Sequence, residues 1–182
     1  MASVPMRRVV FVDYEKCIGC YACVIACKME HNPLLCAESC GYSLIRIFHV
    51  GPKIKDGKVH QYFVPILCLH CDDPPCISKC PVNAISQYVE GAVHVDYEKC
   101  IGCKLCSDAC PYGAPQFNSN GKMMICDLCL KLVHKGKKTA CEAACPAKCI
   151  HVCTLDEVGQ EVLFKIEKSR KILIEIRNAL PK

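Results

Sequence analysis

Several features of exported, membrane-bound or self-contained catalytic proteins are missing from this sequence of 182 residues. No segment approaches the roughly 18 apolar residues of a membrane-spanning helix. Arg7 and Arg8 are followed only by Val-Val-Phe-Val before Asp13, which is shorter than the apolar region of about 7–15 residues in an export signal. There is no recognisable nucleotide-binding loop, flavin-binding glycine motif or nucleophile with its base. We therefore expect a cytoplasmic protein without direct membrane insertion and without its own catalytic site, although export together with a signal-bearing partner stays open.

The residue that the sequence has in excess is cysteine, which accounts for 20 of the 182 residues. No ordinary hydrophobic core requires this proportion. Cysteine-rich chains are usually either disulfide scaffolds of secreted proteins or metal-binding proteins of reducing compartments. Because an export signal is not apparent, metal binding is the favoured interpretation.

A nine-residue segment occurs twice, at residues 12–20 and 95–103, and each copy leads into the spacing C-x2-C-x2-C-x3-C. Bacterial ferredoxins use this spacing to bind [4Fe–4S] clusters in pairs, and the fourth cysteine ligates the other cluster of the pair. Two further groups of cysteines have related, stretched spacings. The four groups are Cys17, Cys20, Cys23 and Cys27; Cys68, Cys71, Cys76 and Cys80; Cys100, Cys103, Cys106 and Cys110; and Cys126, Cys129, Cys141 and Cys145.

Each group suggests the same local design. Three closely spaced cysteines on a loop can ligate three irons of one cluster, and the fourth is expected at the start of a short helix, directed elsewhere. A proline, which suits the first turn of a helix, follows three of the four groups: Pro81, Pro111 and Pro146. Gly19 and Gly102 are predicted to adopt unusual backbone angles and to leave room for the cluster. Backbone N–H groups of the loops are expected to point at the sulfurs.

The crossover rule of two-cluster ferredoxins predicts how the groups pair. The second and third groups form an inner unit at residues 60–117, and the first and fourth form an outer unit at residues 1–59 plus 118–160, with a C-terminal appendage at residues 161–182. The predicted fold class is α+β, with nested two-cluster ferredoxin-like units of short helices and β-hairpins around four [4Fe–4S] clusters. The predicted ligand sets are Cys17, Cys20, Cys23 and Cys145; Cys27, Cys126, Cys129 and Cys141; Cys68, Cys71, Cys76 and Cys110; and Cys80, Cys100, Cys103 and Cys106.

Zinc is the main alternative, because repeated C-x2-C pairs also form zinc ribbons and knuckles. A close triplet with a distant fourth cysteine is more typical of iron–sulfur clusters than of zinc sites, which usually combine two pairs. The formal charge of +5 does not indicate nucleic-acid binding, because each cluster with four thiolates carries about 2− and four clusters would make the balance about −3.

The chain resembles the four-cluster electron-transfer subunits of the molybdopterin or tungstopterin oxidoreductases, such as dimethyl sulfoxide reductase, nitrate reductase and formate dehydrogenase. The resemblance extends from residue 8 to about residue 153 and is strongest at residues 27–32, 63–76 and 126–129. It implies a larger catalytic redox subunit as partner, in a pterin, carbon monoxide dehydrogenase or hydrogenase system of anaerobic metabolism. It also implies that the Cys17/Cys145 cluster lies nearest that subunit and the Cys100/Cys80 cluster farthest away.

Four cysteines are left outside the groups: Cys36, Cys40, Cys149 and Cys153. We interpret them as packing residues, since free cysteine behaves as a small buried apolar side chain, and an additional metal site is the alternative. His70 lies between two ligands, where it could tune a cluster, but a partly hydrated loop side chain is the simpler interpretation.

The remaining segments indicate local structure only. Residues 44–50 and 59–67 predict a hairpin around residues 51–58, and residues 88–95 predict a second hairpin that turns at Glu90 and Gly91. The tail at residues 161–180 predicts one strand followed by a short helix.

The sequence thus predicts an electron-transfer subunit that relays electrons between a catalytic redox subunit and an external carrier. A second electron carrier or a membrane subunit is a further candidate partner, and nucleic acid is not expected. Two alternatives stay open: a free-standing polyferredoxin that serves several enzymes, and a zinc-binding adaptor.

Overall fold

A computed structural model describes residues 7–31, 43–154, 157 and 159–179. Within this part of the chain, short helices are interspersed with two-stranded antiparallel sheets. The strands are β1 (Arg8–Val12), β2 (Arg46–Lys55), β3 (Lys58–Ile66), β4 (Ile85–Gln87), β5 (Val93–Val95), β6 (Gln116–Phe117), β7 (Met123–Met124) and β8 (Ile150–Thr154). The helices are α1 (Ala22–Glu30), α2 (Pro75–Ser78), α3 (Leu105–Ala109), α4 (Leu130–Val133), α5 (Ala140–Ala144) and α6 (Gln160–Ala179). The mixture of small helices and strand pairs agrees with the predicted α+β class.

The pairing of β1 with β8 joins the beginning of the described residues to the segment that follows the fourth cysteine group. Arg8 lies opposite Thr154 and Val12 lies opposite Ile150. Beside this sheet, α1 packs against α5, and elsewhere α2 packs against α3. The helices of the first and fourth groups are therefore neighbours, as are those of the second and third groups.

Both predicted hairpins are present, although the first strand of the second one, β4, lies before the predicted range of residues 88–95. The first consists of β2 and β3, but its turn is the tight pair Asp56 and Gly57, both with positive φ, so the strands extend through much of the segment predicted as a turn. The second consists of β4 and β5, and its turn is closed by a hydrogen bond from the Gly91 N–H to the Tyr88 carbonyl at 2.9 Å. A third hairpin, β6 with β7, follows the third cysteine group.

The prediction of a strand in the C-terminal tail was wrong, because residues 160–179 form one continuous helix, α6. Its buried side chains Ile166, Ser169 and Leu173 follow a helical spacing that places them on one face. Ser169 donates its hydroxyl to the Val12 carbonyl, and Lys168 forms an ion pair with Glu15 at 2.6 Å. The helix therefore packs along β1.

The main core contains cysteines together with aliphatic side chains. Buried cysteines from all four groups belong to one cluster of contacting residues that also includes Val12, Ile45, Leu67 and Ile150. Among the described helices, none combines the length and apolar character needed to cross a bilayer.

Candidate metal centres

Three of the four predicted ligand sets each line a separate pocket in the structure. The cysteines that line the three pockets are Cys27, Cys126, Cys129 and Cys141; Cys80, Cys100, Cys103 and Cys106; and Cys68, Cys71, Cys76 and Cys110. In each cavity three cysteines come from one group and the fourth comes from the partner group, as the crossover rule predicts.

In the fourth set, Cys23 is buried, and Cys17 and Cys145 are half-buried. The thiols of Cys17 and Cys23 interact electrostatically with that of Cys145, and Cys20 is exposed. The hydroxyl of Tyr14, which also interacts electrostatically with Cys17, is buried and has no hydrogen-bond partner within the described residues. The structure thus brings Cys17 and Cys23 near Cys145, beside a buried polar atom whose bonding is incomplete.

The spacing of the sulfurs distinguishes clusters from zinc. In a tetrahedral zinc site with Zn–S bonds of about 2.3 Å, the sulfurs lie roughly 3.8 Å apart. Among the described residues, the sole group of at least three potential ligand atoms within 4.8 Å of one another is His31, Asp127 and Cys129. No cysteine set in this part of the chain is therefore contracted around a single ion, whereas four thiols around a shared pocket match the soft ligand set of an iron–sulfur cluster. The zinc alternative is not favoured.

The fourth cysteine of each group does not lie at the start of a helix, so this prediction was wrong. Cys110 and Cys145 directly follow α3 and α5 and have extended backbones, with ψ of 116° and 107°. The reason is the following proline, which disfavours helical geometry in the residue before it. Where Lys28 replaces proline, α1 continues through Cys27 to Glu30.

The turn after these cysteines has the same form in three groups. The third residue after the cysteine has a positive φ: Asn83, Gly113 and Lys148. The fourth residue donates its backbone N–H to the cysteine sulfur, from Ala84 to Cys80 at 3.2 Å, from Ala114 to Cys110 at 3.4 Å and from Cys149 to Cys145 at 3.4 Å. These bonds confirm that backbone N–H groups point at the sulfurs, where they stabilise negative charge.

The residue before the second cysteine has a left-handed backbone in all four groups: Gly19, His70, Gly102 and Leu128. The unusual angles predicted for the two glycines are confirmed. A Cβ atom at Gly102 would lie 2.6 Å from the Gly121 carbonyl oxygen, and one at Gly19 would clash with the Phe63 ring. At both glycines, the atoms that an added side chain would meet first therefore belong to the protein itself. The conformation of His70 and Leu128 had no comparable signal in the sequence, because non-glycine residues rarely adopt it.

His31 was not identified from the sequence as a site residue. Its Nε2 donates to Asp127 Oδ1 at 2.8 Å, its Nδ1 donates to the Cys27 carbonyl at 2.9 Å, and Nδ1 lies 3.6 Å from the Cys27 sulfur. Burial opposes its charge, but the hydrogen bonds to Asp127, Cys129 and Cys27 raise its pKa well above the usual range. A charged imidazole therefore lies against the cavity lined by Cys27, four residues after that cysteine, in the position where the other groups use a backbone N–H.

His70 is fully buried, so the interpretation as a partly hydrated loop side chain was wrong. Its Nδ1 accepts the Val93 N–H at 3.1 Å, which leaves Nε2 as the protonated nitrogen, and that atom has no partner within the described residues. Burial lowers the pKa of His70 to about 3. The neutral ring therefore fastens the second ligand loop to β5.

Two arginines lie around the cavity lined by Cys68, and sequence reasoning had not singled them out. Arg7 donates to the carbonyls of His70 at 3.2 Å and Cys71 at 2.8 Å. Arg46 donates to the Gly113 carbonyl, and its guanidinium interacts electrostatically with Cys110. Arg7 is itself paired with Asp72 at 2.8 Å, so Arg46 offsets more of the negative charge that four thiolates and a cluster would bring to the core.

Burial raises the pKa of several of the predicted ligand thiols, to about 12 for Cys23 and Cys76 and to about 11 for Cys106 and Cys141. Without a metal these side chains are neutral, because a bare thiolate in the core is unfavourable. Ligation by iron supplies the positive charge that removes the proton. The residues therefore fit a metal cluster better than any metal-free thiolate chemistry.

The cysteines outside the four sets have different surroundings. Cys36 and Cys40 lie outside the described residues. Cys153 is half-buried in β8, beside Val9, Phe11 and Ile166. Cys149 is buried, and its sulfur lies 3.5 Å from that of Cys145.

Comparisons with known proteins agree with the geometry. The family described as "4Fe-4S dicluster domain" matches residues 59–155, and the family described as "4Fe-4S binding domain" matches residues 8–29. A polypeptide of the anaerobic dimethyl sulfoxide reductase of Escherichia coli (strain K12) is 38% identical over 157 residues, which cover 83% of this chain and 75% of the relative. The corresponding polypeptide of Haemophilus influenzae is 37% identical over 81% of this chain and 74% of its own length. A subunit of the sulfite dehydrogenase of Allochromatium vinosum is 37% identical over 75% of this chain and 64% of its own length. The chain therefore belongs to the 4Fe-4S dicluster family and is an iron–sulfur electron-transfer subunit of the molybdopterin-oxidoreductase type.

Proposed function

We propose that this subunit binds four [4Fe–4S] clusters, in two nested ferredoxin-like units, and connects a catalytic redox subunit to a second electron carrier. The ligands of the four clusters are the four cysteine sets predicted from the sequence. When bound, such clusters supply reversible one-electron transfer. The observation that carries the proposal is that three of these sets each line a separate pocket, with three cysteines from one group and the fourth from its partner group.

The chain's own residues hold the clusters and control their surroundings. Left-handed residues shape the ligand loops, the loop backbone donates hydrogen bonds to sulfur, and aliphatic side chains such as Leu67 and Ile125 exclude water. The charged His31 and the two arginines stabilise added negative charge. Because reduction adds an electron, such groups raise the potential of a nearby cluster.

Two surfaces are candidates for electron entry and exit. Cys20 and Cys103 are the exposed members of the four sets, and they occupy the same position in the two nine-residue repeats. Exposed apolar side chains accompany each: Ile18, Ile25 and Met29 near the first, and Ile101 and Leu105 near the second. Apolar exposure of this kind favours a docked partner. By family resemblance, we assign the catalytic subunit, of pterin type, to the Cys20 surface.

The proposed location is the cytoplasm, because sixteen thiols that must bind iron require a reducing compartment during assembly. The relatives are named as parts of a reductase and of a dehydrogenase, which supports a dedicated partner over a free-standing polyferredoxin.

The proposal is tested by anaerobic purification from the native cell. We expect a brown complex with a larger redox polypeptide, about four irons per cysteine set, little zinc, and several interacting EPR signals after reduction. A colourless chain that contains stoichiometric zinc would contradict cluster binding. A brown chain that always purifies alone would contradict the dedicated partner and favour the polyferredoxin alternative.

A further inference from the structure

Cys149 is a fifth cysteine beside the set formed by Cys17, Cys20, Cys23 and Cys145. It is 3% exposed, its sulfur lies 3.5 Å from the Cys145 sulfur, and it interacts electrostatically with the Cys17 thiol. A proposed ligand of one cluster thus contacts a thiol that is not counted among the ligands.

The local backbone does not require a cysteine at this position. Ala84 and Ala114 occupy the equivalent position, four residues after Cys80 and Cys110, and they donate the same backbone hydrogen bond to sulfur. Lys148, the residue before Cys149, has a left-handed backbone, as do the residues before the two alanines, Asn83 and Gly113. What distinguishes Cys149 from the two alanines is therefore its S–H group.

The direction of the contact follows from the chemistry of the two kinds of sulfur. A thiol that is not ligated carries its proton at neutral pH, and burial disfavours the charged thiolate further. Metal ligation leaves the sulfurs of Cys145 and Cys17 without a proton. The Cys149 thiol can therefore act only as a donor towards them.

We propose that Cys149 donates an S–H hydrogen bond to the sulfur of Cys145, and that this bond makes the cluster of the Cys17 set easier to reduce. The inference rests on the proposed function, because it requires a cluster in that set. The physical reason is that a donor to a ligand sulfur stabilises the state with the additional negative charge, so the midpoint potential rises. Cys149 is a positioning and tuning residue, and it is not an iron ligand.

The test is an EPR-monitored redox titration of the anaerobically prepared complex. The cluster of the Cys17 set is first identified as the signal that changes in Cys20→Ser. We then expect Cys149→Ala to lower the equilibrium constant for reduction of that cluster about tenfold, which is about 59 mV for one electron. Cys149→Ser, which keeps a donor, should recover most of the shift, and Cys153→Ala is the matched control that should change nothing.

Iron content separates the possible outcomes. The same iron content in Cys149→Ala as in the unmodified chain, together with the lower potential, supports the proposal. An unchanged potential would overturn it while leaving the proposed function intact, and a loss of iron would overturn it by making Cys149 a ligand. If the unmodified chain gives no iron–sulfur signal, the proposed function fails and this inference fails with it.

Discussion

The first and third ligand loops begin with the same nine residues and form the same local structure. Asp13 forms an ion pair with Lys16 at 3.2 Å, and Asp96 forms one with Lys99 at 3.0 Å. The Asp13 N–H donates to the Cys149 carbonyl at 2.7 Å, and the Asp96 N–H donates to the Ala84 carbonyl at 2.8 Å. In both loops a left-handed glycine precedes the second cysteine.

The sequences diverge after the second cysteine, but the backbones stay alike up to the third, since Tyr21 and Lys104 both have a left-handed conformation before α1 and α3. The two loops differ in structure after the third cysteine. In the third loop, α3 ends before Cys110, because Pro111 follows, and the Ala114 N–H reaches the sulfur. In the first loop, α1 continues past Cys27 and the His31 side chain occupies the corresponding place. The repeated residues therefore determine the shape of the loop. The residue directly after the fourth cysteine, Lys28 or Pro111, determines whether a charged imidazole or a neutral backbone amide contacts that cysteine.

The largest expected effect comes from removing the fourth cysteine of each loop. Cys110→Ser should remove or alter the cluster bound by Cys68, Cys71 and Cys76. Cys27→Ser should do the same to the cluster bound by Cys126, Cys129 and Cys141. In each case the loss is up to about four irons. The expectation follows from the cavities, in which these cysteines line the partner group's site. Iron analysis and EPR measure both changes.

The crossing can be checked against variants within the same loops. The EPR signal lost in Cys110→Ser should be the one lost in Cys68→Ser and should differ from the one lost in Cys100→Ser. If instead Cys110→Ser and Cys100→Ser affect one signal, the pairing of the groups is wrong. Cys153→Ser is the control outside the ligand sets.

A smaller effect is expected when the first loop is given the ending of the third. Lys28→Pro places a proline inside α1, which removes a helical hydrogen bond and costs about 3 kcal/mol or more. Cys27 should then adopt the extended backbone of Cys110, and the contact of His31 with Cys27 should be lost. Chemical denaturation followed by circular dichroism measures the destabilisation.

Lys28→Ala serves as the matched control, because it removes the same side chain and keeps the helix. Lys28 is half-buried and makes an interaction of its own, so this variant measures what the side chain contributes, and Lys28→Pro should be less stable than Lys28→Ala by about 3 kcal/mol or more. Equal destabilisation by proline and alanine would mean that the lysine side chain, and not the helix, supports Cys27.

Much of the site could be predicted from the sequence because ligand spacing is a local property. The four cysteine sets follow from C-x2-C patterns and one crossover rule, and three of them line cavities in the structure. The β2–β3 hairpin was equally accessible, since its strands are rich in β-branched and aromatic residues. The assignment of each cysteine to a cluster stays a prediction until the metal is measured.

Other features depended on contacts that no local pattern reveals. The ion pair between His31 and Asp127 joins residues 96 positions apart, and Arg46 reaches Gly113 across 67 positions. The C-terminal segment was predicted as a strand followed by a helix because it mixes Ile and Leu with charged residues, whereas the helical spacing of the side chains that it buries against β1 decides the structure. Aligning the fourth cysteines would have singled out His31, which replaces an alanine or cysteine there.

The smallest expected differences in stability are among alanine variants of three glycines. Two of these glycines, Gly19 and Gly102, lie before the second cysteines of the repeat. Gly19→Ala and Gly102→Ala both force a left-handed backbone on alanine, at a cost of roughly 1–2 kcal/mol each. Gly57→Ala, with φ of +70° and nothing near the new Cβ, measures that cost alone and is the matched control.

The surroundings of the new methyl group should separate the three variants. At Gly102 it meets the Gly121 carbonyl oxygen at 2.6 Å, which cannot rotate away, so we expect about 1–3 kcal/mol of further destabilisation. At Gly19 it meets the half-buried Phe63 side chain, with Cγ at 2.6 Å, so the whole ring must move and a further loss of stability is expected there too. Denaturation midpoints should therefore fall further for Gly19→Ala and Gly102→Ala than for Gly57→Ala. A midpoint for Gly102→Ala equal to that for Gly57→Ala would mean that the loop around Gly121 shifts at little cost.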